Sequence, residues 1–97
     1  MTWPPRKKDY PSQLLVGDSI YSLRFVRKID DENTLGLCDS SSKTILIRLK
    51  QTRENYLLTF IHELLHALEF EYDLKIEHKL VHKLEKPIAA LIFDNFI

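Results

Sequence analysis

Two hydrophobic periods divide the chain at Lys50. Before it, apolar residues alternate with polar ones. Leu14 and Val16 lead into Gly17-Asp18, a turn signal, and Tyr21, Leu23 and Phe25 then alternate with Ser22 and Arg24. The polar run Asp30-Asp31-Glu32-Asn33 breaks this strand. Leu35 and Leu37 flank Gly36 in a short further strand, and Asp39-Ser-Ser-Ser-Lys43 reads as a turn. Ile45, Ile47 and Leu49 then alternate with Leu46, Arg48 and Lys50. The pattern predicts an antiparallel sheet of three to four strands, laid out as a meander with one buried face.

After Lys50 the period lengthens. Thr52 is placed to cap a helix, and Leu57, Ile61, Leu64, Leu68 and Tyr72 recur at three- and four-residue steps. That stripe predicts an amphipathic helix of roughly five turns. A second helix is expected from about Glu77, carrying Leu80, Val81 and Leu84 towards the first. Pro87 must end it, kink it or begin a new turn. Sheet first and two helices after it define an α+β class. Residues 1–11 hold three of the four prolines and the run Arg6-Lys7-Lys8. They read as an irregular arm ahead of one domain, residues 12–97.

Composition removes several function classes. A chain of 97 residues with 44% hydrophobic and 29% charged residues builds one core, not a disordered segment. The longest apolar run, Ile88 to Phe93, is too short to span a bilayer. Met1 to Asp9 lacks the apolar region of a signal peptide, so the expected location is cytoplasmic. Fourteen basic residues balance fourteen acidic ones, which leaves no electrostatic signature of a nucleic-acid binder. The single cysteine, Cys38, can form neither an internal disulfide nor a thiolate-rich zinc site and is expected to be a buried, inert thiol.

The four histidines all lie between His62 and His82. Within that span, His62-Glu63-Leu64-Leu65-His66 is an HExxH motif inside the first predicted helix. Four residues advance a helix by about 400°, so His62 and His66 project from one face, one turn apart. That is how two imidazoles chelate one zinc ion, with Glu63 close enough to act on a water there as general base. Both histidines also lie off the predicted core stripe, where a structural histidine would belong. A catalytic zinc takes three protein ligands and keeps one position open. The candidates for the third are His78, His82, Glu69, Glu77 and Glu85, and His78 is the choice because it sits nearest the connecting loop. Glu69 is better placed to orient His66 from behind. His82, Tyr56 and Tyr72 are candidates to steady a developing oxyanion.

The segments Phe60–Glu69 and Ile76–Glu85, with the strand Ile45-Leu-Ile47 ahead of them, resemble the small zincin metallopeptidases of phages and bacteria, the SprT-like and ImmA-like single domains. The likeness covers roughly residues 12–95. It implies a minimal zincin-like fold, zinc as cofactor, and a protein or peptide as substrate. It matches His62 and His66 to the paired ligands, Glu63 to the catalytic base and His78 to the third ligand. The expected chemistry is hydrolysis of a peptide bond, with the strand Thr44–Lys50 as the sheet edge to which an extended substrate adds.

Three other readings compete. A catalytically weak or inactive protein could keep the fold and the zinc while acting by binding a partner. A closed four-histidine site would make the zinc purely structural, with no task for Glu63. A di-iron helical bundle would need a second ExxH and two more helices, and the chain has neither.

Overall fold

The computed structural model describes residues 4–31 and 33–96. Four strands form one sheet: β1 (Gln13–Val16), β2 (Ser19–Val26), β3 (Gly36–Asp39) and β4 (Thr44–Arg48). Two helices follow, α1 (Arg53–Glu71) and α2 (His78–Phe96). None of the described helices is long and apolar enough to cross a membrane.

The class is α+β, but the sheet is mixed and not the antiparallel meander that the alternation suggests. Its order is β1-β2-β4-β3. β2 and β4 run parallel, from Ser22 opposite Thr44 to Val26 opposite Arg48. The other two pairings are antiparallel. The physical reason is the stretch 27–35, which carries the chain past the position of β4 before any strand forms. β3 therefore becomes the outer edge, and β4 returns into the gap beside β2. A period of two reveals which face of a strand is buried and nothing about its neighbour. The consequence for the site is direct, because the edge strand is β3 and not Thr44–Lys50.

Local chemistry explains the turns. Gly17, at a φ of 59°, supplies the left-handed residue of the two-residue β1–β2 turn. Between β3 and β4, Asp39 Oδ1 accepts from the Ser41 amide at 3.0 Å and the Ser41 hydroxyl at 2.7 Å, fixing the start of that turn. The Thr52 hydroxyl accepts from the Asn55 amide at 3.1 Å, so α1 begins where the capping residue predicts.

One face of the sheet, through Val16, Tyr21, Leu23, Ile45 and Ile47, packs against Tyr56 and Ala67 of α1. Of the predicted helix stripe, Leu57 and Ile61 are buried and Leu64 and Leu68 half-buried, whereas Tyr72 caps the helix and is exposed. On α2 the inward residue is Val81, fully buried, with Leu84 half-buried. Leu80, expected at the same contact, is exposed. Pro87 neither ends α2 nor begins a new turn; the helix runs through it. Its ring removes the helical donor to the Lys83 carbonyl, and Lys83 is exposed, where water can replace that bond. The described part of the arm is packed down. The Pro4 carbonyl accepts from the Arg53 guanidinium, and Tyr10 meets Phe25 and Phe60 edge-on.

Glu71, the last residue of α1, clamps the helix to the sheet. Its carboxylate accepts from Ser19 Oγ at 2.6 Å, Tyr21 Oη at 2.7 Å and Lys43 Nζ at 2.6 Å. The Lys43 ammonium, with the two hydroxyls, holds the Glu71 carboxyl down at about 2. A carboxyl lowered on folding stabilises the fold above its unfolded value near 4.5, and that contribution fades as pH falls. Glu71→Gln is therefore expected to lower the urea midpoint at pH 7. The gap from the wild type should narrow by more than half by about pH 3. Unfolding curves across that range check it, and a gap independent of pH would rule the clamp out.

Candidate metal centre

The α1 helix places His62 and His66 one turn apart on the face turned towards α2, and their Nε2 atoms lie 3.2 Å from one another. Behind each ring stands a carboxylate. His66 Nδ1 is 3.1 Å from Glu69 Oε1, and His62 Nδ1 is 3.4 Å from Glu85 Oε2. Glu69 is itself held, since its other oxygen accepts from the Ile76 amide at 3.3 Å. A neutral ring that donates from Nδ1 has a bare lone pair at Nε2, the tautomer that a carboxylate beside Nδ1 favours. Burial holds His62 below the ordinary histidine range, in its neutral form. With that tautomer on both rings the two Nε2 lone pairs would converge on one point, an arrangement that suits a shared cation.

The spacing fits that purpose. Two nitrogens on one tetrahedral zinc at 2.0–2.1 Å are about 3.3 Å apart, close to the separation found here. α2 begins at His78, which is exposed and whose donor atom lies within 4.8 Å of those of His62 and His66. His78 stands at a helix start, where a side chain has room to swing inward. His62, His66 and His78 thus form one group of donors. His82 falls in a second group, with Glu85 and again His62.

The Glu63 side chain reaches the β3 edge of the sheet. Its side chain is buried, and no hydrogen bond from another described residue holds its carboxyl. Burial first, and the Glu85 charge second, push it up to about 7. A carboxyl poised there exchanges protons near neutrality, as a general base must. It is reachable because of Gly36. A Cβ at that position would lie 2.8 Å from Glu63 Oε2 and 2.6 Å from Thr59 Cγ2. Thr59 is tied through Oγ1 to Gln51, whose amide donates to the Leu35 and Arg48 carbonyls. The result is a cleft of about 200 Å³ between the β3 edge and the two helices. Leu35, Gly36, Thr59, His62, Glu63, His82 and Glu85 line it.

Other predicted participants stand elsewhere. The Tyr56 hydroxyl accepts from the Lys50 amide at 3.1 Å, and Tyr72 lies beside Gly17; neither lines the cleft. Glu77 is exposed and belongs to neither donor group. Cys38 is half-buried, and burial together with the Glu63 charge pushes its thiol up to about 12, out of the nucleophilic range. Sequence reasoning missed the place of Glu85 behind His62 and the role of Gly36. The second had a signal, since glycine inside an apolar strand marks close approach.

Comparison of the chain with protein families, with characterised proteins and with solved structures finds no match.

Proposed function

We propose that this protein is a zinc-dependent peptide-bond hydrolase of zincin type, with His62, His66 and His78 as metal ligands and Glu63 as general base. The observation that carries the reading is the pair of facing Nε2 atoms, each ring backed by a carboxylate, next to a buried glutamate in a cleft. Carboxylate–histidine pairs of this kind fix the ring and raise its basicity towards a metal. When bound, zinc supplies Lewis acidity, which polarises a carbonyl and makes a water acidic near neutral pH.

The chain's own residues do the rest. The Glu63 carboxylate takes the proton of the attacking water and returns it to the departing amine. Glu69 and Glu85 keep His66 and His62 aimed. β3 offers a free edge beside Glu63, where an extended peptide adds as a further strand through backbone hydrogen bonds, which tolerate many sequences.

Metal content of the purified protein and of His78→Ala, with turnover of a quenched peptide library, tests the proposal. About one zinc per wild-type chain is expected, with binding at least tenfold weaker in the variant. Zinc fully retained in His78→Ala moves the third ligand to His82 or a glutamate. A folded wild type that takes up no metal refutes the reading.

A further inference from the structure

We propose that a second divalent cation binds in the cleft beside Glu63, held by His82 and Glu85 with the Nδ1 edge of His62 as shared third donor. The inference rests on the hydrolase reading, since His62 must hold the first ion through its opposite edge.

Three donors already converge there. His82 Nδ1 lies 3.0 Å from Glu85 Oε2, and His62 Nδ1 lies 3.4 Å from the same oxygen. One donor atom from each of the three residues falls within 4.8 Å of the other two. The two shorter separations match the edge of about 3.3 Å expected between ligands on one zinc ion. The equivalent place behind His66 offers no such group, because Glu69 there is engaged by the Ile76 amide.

Charge and access favour the same spot. Glu63 and Glu85 open into one small cleft with no lysine or arginine among its lining. Two carboxylates in so confined a space repel, and a divalent ion between them turns repulsion into attraction. The His82 side chain is 60% exposed, so an ion can enter from solvent. With His62 holding an ion through each nitrogen its ring would give up its Nδ1 proton to the buffer, whereas His82 would bind through Nδ1 with its own proton kept on Nε2.

Calorimetric titration of zinc into the metal-stripped full chain, in two buffers of different ionisation enthalpy, tests this. The wild type should show two binding events. The second should be at least tenfold weaker than the first and accompanied by proton release. His82→Ala and His82→Gln should keep the first event and weaken the second at least tenfold. The exposed position of His82 makes both variants compatible with the fold, and thermal melts confirm it. A single event in the wild type, or a second event unchanged in both variants, overturns the inference and leaves the first site standing. Loss of the first event in the His82 variants, with its retention in His78→Ala, overturns it too by moving His82 to the first ion. Absence of any event in the wild type overturns instead the reading on which it rests.

Discussion

Glu63→Gln is expected to lower kcat/KM by about 10²–10⁴-fold while zinc content stays at the wild-type level. Glutamine keeps the shape of the side chain but cannot take a proton, and the Glu63 carboxyl is absent from both groups of candidate metal donors. The stability of the metal-free protein separates this role from a structural one. Glu63 is a buried carboxyl that no other described residue hydrogen-bonds, and Glu85 adds like charge to its surroundings. Neutralising it should leave the melting temperature unchanged or raise it, as for other groups held in place for function at a cost to the fold. A glutamate kept for packing would give the reverse, a lower melting temperature with turnover intact. Unchanged turnover with zinc bound would instead remove Glu63 from the mechanism, whereas zinc bound without turnover in the wild type would favour a zinc-stabilised binding protein.

Gly36→Ala is expected to destabilise the protein by roughly 1–3 kcal/mol and to reduce turnover beyond what the lost stability explains. Alanine ordinarily stabilises a strand relative to glycine, by about 0.5–1 kcal/mol, so the sign of the effect is itself the test. The added methyl would sit 2.6 Å from Thr59 Cγ2 and 3.0 Å from Glu63 Cγ. Threonine is stiff at χ1 in a helix, and Oγ1 of Thr59 is already bound to Gln51, so that neighbour cannot swing aside. Either the edge strand lifts from α1 or Glu63 is pushed out of the cleft. Each kilocalorie lost should lower Tm by about 4–8 °C in a domain of this size. Thermal melts with peptide turnover measure both effects, and a stabilised, fully active variant would exclude close packing at Gly36.

Both positions show where sequence reading succeeds and where it stops. The HExxH helix is legible because its signals are local: a capping threonine, a period near 3.6 and two histidines four apart. Strand positions are legible too, since alternation records burial. Strand order is not. It depends on how residues 27–35 cross the end of the sheet, and that stretch carries no periodic signal. The same limit explains the error at Leu80. On a helix with Leu80, Val81 and Leu84 near one another, the sequence does not say which residue meets α1, and the fold turns Val81 inward. Glu85 illustrates a third kind of limit. The sequence offers it only as one of five candidates for a third ligand, and tertiary placement behind His62 gives it a different task.

The parallel pairing of β2 with β4 also sets the order in which the chain can assemble. Hairpins β1–β2 and β3–β4 close locally and quickly, but each alone is marginal in water. Joining them requires Ser22 to find Thr44 across a long loop, whose closure entropy is lost before any contact repays it. The clamp onto Ser19 forms only when Glu71, 52 residues later, is available. A growing chain therefore carries two unjoined hairpins with an uncovered apolar face until α1 has fully emerged. Folding of this protein should be governed by that late docking and slower than its size suggests, with the half-made sheet as its aggregation-prone stage.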